Sequence, residues 1–422
     1  MANDKLVRKV FYSYLTMSIL TMVVATAGML VDGIVIGQML GQKCVSAFGL
    51  TSPISLLVSV VAGIFSNGGS ACCSAHIGRG DEEGIKRNFT VACLCVGILA
   101  IFFTLILVMG SEQVANLLGA QGELLPLTMD YVIGIGVGII PTMLTQVIMI
   151  YLQLANKAKL AFVSVIGMTI TNIVLDVYFA AGLKLGMFGM GLATSVSYTV
   201  AFLICCTYFL DKNCQFKFTK LSGCFKELTE IISTGLPSAL KICTTFRVLI
   251  LNHLLLTIGG SIAVSAMAVQ NNINQLLSSL TMGVGMTTML ISGIFFGERD
   301  GKMLEKTLRV SVKNGVVLSG VVSVLVIIFA NPLVGLFLHG SPEAAELAAR
   351  SLRFFAFSIP FALVCIVLLY FYQCTKKLFM ANLISVVHNL VFVVLIAFSC
   401  STVLGTDAVW ISFFGAEILT IA

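Results

Sequence analysis

Twelve apolar segments separated by short polar loops take up most of this 422-residue chain: 12–40, 45–77, 89–110, 126–153, 160–183, 187–210, 229–258, 261–296, 308–330, 351–374, 378–402 and 408–422. A helix of about 20 apolar residues crosses the ~30 Å hydrocarbon layer, and every segment but the last is long enough. A water-soluble core cannot hide this much apolar surface. The chain is 58% hydrophobic and 10% charged, whereas a soluble domain is about 25% charged. Lipid must be the solvent for most of it. The expected fold is an all-α membrane protein with twelve transmembrane helices, which excludes a single-span receptor or a peripheral enzyme. Residues 1–10 carry Lys5, Arg8 and Lys9. No small-residue cleavage site follows the first apolar run, so the first helix is expected to be retained rather than removed as a signal peptide.

The loops carry the orientation. Alternating them across the membrane puts 19 of the 25 Lys and Arg residues on the side of the N-terminus, and only Lys43, Lys184, Arg350 and Arg353 on the other. Basic residues collect on the cytoplasmic side, so both termini are expected there, in a multi-pass protein of the cytoplasmic membrane. The net charge of +6 is therefore topological. No basic stripe is interleaved with aromatics, so no nucleic-acid partner is expected. The most basic loop falls mid-chain. It divides an N-lobe (1–210, six helices) from a C-lobe (229–422, six helices) through a cytoplasmic linker, 211–228. The twelfth segment, at about 15 residues, is shorter than the hydrocarbon layer, and we read it as a helix cut short.

The two halves resemble each other. His76-Ile-Gly-Arg-Gly-Asp81-Glu matches Phe295-Phe-Gly-Glu-Arg-Asp300-Gly at an offset of 219, and the same offset pairs Ser46-Ala47 with Ser265-Ala266. Near the fifth helix of each half, Asn172-Ile-Val-Leu-Asp176 pairs with Asn389-Leu-Val-Phe-Val393 at an offset of 217. Two parallel six-helix repeats follow, giving pseudo-symmetric bundles of the kind that flank a central site in transporters.

Few ionisable residues fall deep in these helices: Asp32, Asp176, Lys241, Arg247, His253, His388 and Glu417. A charge at mid-membrane costs at least ~2.5 kcal/mol on insertion scales, so each is a functional candidate. Asp176 lies four residues after Asn172, which puts both on one helical face. Thr194 follows one helix on, in the small-residue run Gly189-Met-Gly-Leu-Ala-Thr194, where helices approach closely. Asp32, Asn172, Asp176 and Thr194 could hold a small hard cation such as Na⁺ with oxygen ligands, or a proton shared between two carboxylates. The plainer alternative is an Asp176 bonded within the bundle and an Asp32 hydrated near the outer interface.

Val31-Asp32-Gly33 with Ile36-Gly37 and Leu40-Gly41, then Gly68-Gly69, Gly78-Arg79-Gly80-Asp81, Asn172-Ile-Val-Leu-Asp176 and Gly189-Met-Gly-Leu-Ala-Thr194 resemble the multidrug and toxic compound extrusion (MATE) transporters. The likeness runs through essentially the whole chain, including Gly235-Leu-Pro237 and Gly297-Glu-Arg-Asp300. It implies two lobes, alternating access, and export of amphipathic, usually cationic compounds in exchange for H⁺ or Na⁺, with no other cofactor. Within the family the chain looks like the DinF-like branch, whose cation site lies in the first lobe; Asp32, Asn172, Asp176 and Thr194 match its motif positions. The NorM-like branch places acids in helices 7 and 10, which here show no buried Asp or Glu; Leu251 and Val393 are the repeat counterparts of Asp32 and Asp176. Some members bend helix 1 at a proline, but none occurs before Pro53, leaving Gly28 as a softer hinge.

Lys241 and Arg247 depart from the pattern. They lie ~18 and ~27 Å along helix 7, and Gln270-Asn271-Asn272 with Asn274 and Gln275 occupies helix 8 at comparable depth. Lys241, Arg247, Asn271, Gln275 and His388 are thus candidates for a polar substrate cavity able to accept an anionic group; the alternative is that the two bases pair with Glu417 or cap helix carbonyls. The runner-up function is a flippase for lipid-linked oligosaccharides from the same superfamily, which would use such cations for a diphosphate. An enzyme is not expected, because no HExxH, GxSxG or His/Cys cluster occurs in the sequence. The 13 cysteines lack metal spacing and read as small hydrophobes. Gly134-Ile-Gly-Val-Gly138 reads as helix packing rather than a dinucleotide loop. A monomer is expected.

Overall fold

The computed structural model describes the backbone of residues 2–211, 214–220, 224–335 and 342–421; the side chains of 1–14, 25–27, 29, 30, 42, 261, 342 and 344 lie outside the description. The basic side chains Lys5, Arg8, Lys9 and Lys212 therefore fall outside it too. Among the described residues every regular element is a helix. Among the described residues nine helices are long and apolar enough to cross a membrane, and a bent pair makes a tenth.

The contacts gather into two units, Thr16–Gly235 and a second made of Met1–Leu15 with Leu236–Ala422. The first holds most of α1 (Ala2–Met39), then α2 (Gln42–Leu50), α3 (Ser52–Arg79), α4 (Glu82–Met109), α5 (Ser111–Leu117), α6 (Leu124–Gly136), α7 (Ile139–Leu154), α8 (Ala158–Val177), α9 (Gly186–Cys206) and the start of α10 (Cys224–Ala239). The helix pair α6 and α7 forms one span bent by 50°. A π-helical turn, Tyr178–Gly182, continues α8. The second unit holds α11 (Ile242–Gly297), α12 (Gly301–Ile328), α13 (Ala330–Gly335), α14 (Pro342–Cys374), α15 (Leu378–Val386), α16 (Phe392–Leu404) and α17 (Asp407–Ile421), with a second π-helical turn, Val387–Val391, joining α15 to α16.

Backbone geometry repeats at the spacing seen in the sequence. Gly41, after α1, has φ 87°, and Gly260, 219 residues on, has φ 64° and breaks α11 into two spans. Only glycine takes such a conformation without steric cost. Asp81 caps α4 by accepting from the Gly84 N–H at 2.9 Å, and Asp300 caps α12 by accepting from the Met303 N–H at 3.0 Å. Each cap satisfies a backbone donor that the first helical turn leaves open.

Several segments behave differently from a reading of apolar runs alone. Segment 214–220 is held against the first unit: Phe216, 1% exposed, packs with Phe89, Tyr151 and Tyr208. The buried Glu227 carboxylate accepts from Asn88 Nδ2 at 2.7 Å and Arg87 Nε at 3.3 Å. The first unit therefore continues through the linker to Gly235. Pro237 lies in the last turn of α10, and the chain turns at Leu240 and Lys241 before α11 begins. Lys241 thus sits at a helix junction, where a proline had removed one backbone donor.

Candidate functional site

In the first unit α6, α8 and α9 form one packed group. Gly134 and Gly191 let α6 and α9 touch backbone to backbone; a Cβ on Gly134 would lie 2.6 Å from the Phe188 carbonyl oxygen. Ser195 Oγ donates to the Gly134 carbonyl at 2.6 Å and fixes the register. Gly28 of α1 sits against the Thr169 side chain of α8. Asp32 is one turn beyond Gly28 and Asp176 two turns beyond Thr169, so the same helix pairing brings the two acids together.

The carboxyls of Asp32 and Asp176 are in side-chain contact. Asp176 is fully buried and Asn172 nearly so, whereas Asp32 is partly exposed. Among the described residues both Asp176 oxygens, Asp32 Oδ1 and Asn172 Nδ2 are buried without a hydrogen-bond partner. An ionised carboxylate only accepts. Two of them facing each other need a proton or a metal cation between them, because like charges at this range repel strongly in a poorly hydrated site. Thr194 Oγ1 donates to the Met190 carbonyl at 3.2 Å. Two residues join that the sequence did not single out. Tyr131 of α6 is buried within hydrogen-bonding reach of Thr194 and feels both acids, and Tyr198 of α9 lies near Asp32. Phe48 holds the Tyr131 ring edge-on at 5.4 Å.

The candidates of the second unit do not gather in this way. Lys241 Nζ has the Met282 sulfur as its neighbour at 4.0 Å. Arg247 is buried, stacks at 5.2 Å over Phe413, and has its Nε unpartnered among the described residues. Asn271 is partly exposed and Gln275 exposed; among the described residues no hydrogen bond or ion pair links either to Lys241 or Arg247. His388, 8% exposed, instead bonds through Nδ1 to Glu417 Oε2 at 2.6 Å. Asn389, the counterpart of Asn172, accepts from Thr244 Oγ1 at 3.0 Å. His253 is exposed.

The MatE family model matches this chain twice, at residues 18–178 and 237–398, two copies that begin 219 residues apart. The chain belongs to the MatE family. Among relatives of this MatE protein, the multidrug export protein MepA of Staphylococcus saprophyticus subsp. saprophyticus is 27% identical over 312 residues, covering 72% of this chain and 67% of that one. The MepA of Staphylococcus aureus strain MSSA476 is 28% identical over 311 residues with the same coverage. A solved structure described as the outward-facing conformation of a multidrug resistance MATE family transporter matches with a TM-score of 0.93 at 22% identity, over 98% of this chain and 93% of that one. This MatE chain thus shares the architecture of two pseudo-symmetric helical bundles.

Proposed function

We propose that this MatE chain is a cation-coupled antiporter of the DinF-like branch, exporting amphipathic, mostly cationic small molecules across the cytoplasmic membrane with both termini on the cytoplasmic side. It acts as a transporter and not an enzyme. One observation carries the coupling: Asp32 and Asp176 touch, with three of their oxygens buried and, among the described residues, no protein donor between them. The ion supplied from outside, H⁺ or Na⁺, fills that gap. Asn172, Thr194 and Tyr131 surround it with further oxygens. The names of the MepA relatives, both multidrug export proteins, support drugs as the substrate class.

The mechanism is differential binding. With the cation absent the two acids repel; with it bound one negative charge is cancelled, the repulsion is relieved and the helices α1, α8 and α9 can close. A ligand that favours one arrangement shifts the populations toward it, and by linkage the exported molecule changes cation affinity by the same factor. Export therefore needs no group other than the cation. The test is release of a fluorescent cation from vesicles with H⁺ and Na⁺ gradients imposed separately. Export driven by one gradient and abolished by Asp176→Asn is the expected result; export indifferent to both gradients would sink the reading.

A further inference from the structure

The second unit holds a cluster that the transport reading does not use. Cys365 of α14, His388 of the π-helical turn and Glu417 of α17 are all buried, and one sulfur, one ring nitrogen and one carboxylate oxygen lie within 4.8 Å of one another. Three different segments, distant in sequence, each contribute one donor atom. His388 falls inside the π-helical turn, a local departure from α-helical register that recurs at functional sites and re-aims a side chain. The donor set is a soft sulfur, an imidazole and a carboxylate. Na⁺, Mg²⁺ and Ca²⁺ prefer all-oxygen surroundings, whereas Zn²⁺ and its spectroscopic substitute Co²⁺ take this mixture.

We propose that Cys365, His388 and Glu417 form a buried binding site for a divalent ion of the Zn²⁺ class, with a fourth coordination position left open. Metal–ligand bonds of about 2.0–2.3 Å in tetrahedral geometry set donors about 3.3–3.6 Å apart. The His388–Glu417 pair, at 2.6 Å, has to open by less than ~1 Å. On binding, the hydrogen that His388 Nδ1 and Glu417 Oε2 share passes to His388 Nε2, which frees both lone pairs for the ion, and the Cys365 thiol releases its proton to solvent as the metal–sulfur bond forms. Thiolate, carboxylate and dication sum to zero charge.

Arg247 is the opposing term. Its guanidinium stacks on Phe413, one turn from Glu417 on α17, and feels the Glu417 charge, yet among the described residues it forms no ion pair within 4 Å. It repels an arriving dication without occupying the ligands. Arg247 on α11, Cys365 on α14, His388 in the π-helical turn and Glu417 on α17 are the charged or titratable groups facing one another here, and protons compete with the metal for the last three.

The experiment uses the full chain, purified in detergent, stripped with chelator and titrated with Co²⁺ while its absorption is followed. One Co²⁺ per chain is expected, with tetrahedral d–d bands and a thiolate-to-cobalt charge-transfer band that Zn²⁺ bleaches. Cys365→Ser, nearly isosteric, should remove the charge-transfer band. His388→Gln should weaken binding by at least about tenfold, since even losing a partner behind the ligands costs that much. Arg247→Gln should tighten binding, which a merely structural hydrogen-bonded cluster would not do. Helix content and monodispersity identify any variant that fails to fold, and either Cys365→Ser or His388→Gln alone suffices. Absence of the thiolate band in the wild-type chain, or its persistence in Cys365→Ser, overturns the proposal.

Discussion

In the first unit two carboxyls of one sign, Asp32 and Asp176, meet between α1 and α8, with no donor between them among the described residues. In the second the buried groups are an acid, a histidine and an arginine, of which Glu417 and His388 already share a hydrogen bond. The repeat explains how they came to differ: Leu251 and Val393 stand at the positions of the two acids, and both are fully buried in an apolar core. An unsatisfied pair of like charges is a poor structural element and a good binding site for a cation. A satisfied acid–base pair is a sounder structural element, and a metal ion binds there only by displacing the hydrogen the pair shares. The comparison teaches that an inherited bundle can keep its backbone devices, such as the glycine breaks at 41 and 260, while its interior chemistry diverges.

The strongest way to break this contrast is Asp176→Asn. Gradient-driven export should fall to background while the protein still folds, because the amide is isosteric and supplies its own donor to Asp32. Glu417→Gln should cost only part of the rate in the same vesicle assay. Equal loss in both variants would show that coupling is shared between the units.

Next in size is the packing beneath the acid pair. Gly191→Ala puts a methyl 2.6 Å from the Tyr131 carbonyl oxygen, and overpacking of this kind costs about 1–3 kcal/mol. A melting temperature lowered by several degrees, with cation coupling weakened in parallel, is expected. An unchanged melting temperature would mean that the α6–α9 contact is looser than it looks. Tyr131→Phe removes one hydroxyl near Thr194, worth about 0.5–1.5 kcal/mol. It should raise the cation concentration for half-maximal export by up to about tenfold, with little change in thermal stability. No shift in that concentration would exclude Tyr131 from the cation's surroundings.

The membrane fold was readable because lipid leaves so little freedom: an apolar run of sufficient length has only one way to satisfy its backbone. The acid pair was readable for the same reason, since a carboxylate in lipid is costly enough to stand out among apolar neighbours. Tyr131 and Tyr198 were not. A tyrosine looks at home in any membrane helix, and only the α6–α9 contact shows that its hydroxyl meets Thr194. Cys365, His388 and Glu417 lie on three segments with no motif spacing, so only packing brings them together. The docking of Phe216 and Glu227 was hidden because a basic loop reads as solvated whatever it rests on. Lys241 is a milder case: Pro237, four residues before it, was a legible sign that the helix breaks there.

The smallest expected effect tests the part of the repeat that both units retain. Asp81 and Asp300 cap equivalent helices with bonds of 2.9 and 3.0 Å, so Asp81→Ala and Asp300→Ala should each cost about 1 kcal/mol. Asp81 carries an additional contact, to His76 Nδ1 at 2.8 Å. The Gly84 N–H, and after it the His76 ring, hold the Asp81 carboxyl below its ordinary range. A carboxyl depressed in the folded state stabilises the protein above its unfolded pKa, and that contribution fades as pH falls through the folded value. The wild-type advantage over Asp81→Ala should therefore be full at neutral pH and shrink in acid below the usual aspartate range, as read by melting temperature against pH. A difference between wild type and Asp81→Ala that grows toward low pH would mean that the carboxyl is not held ionised by the cap, and that the two capping aspartates are alike in sequence only.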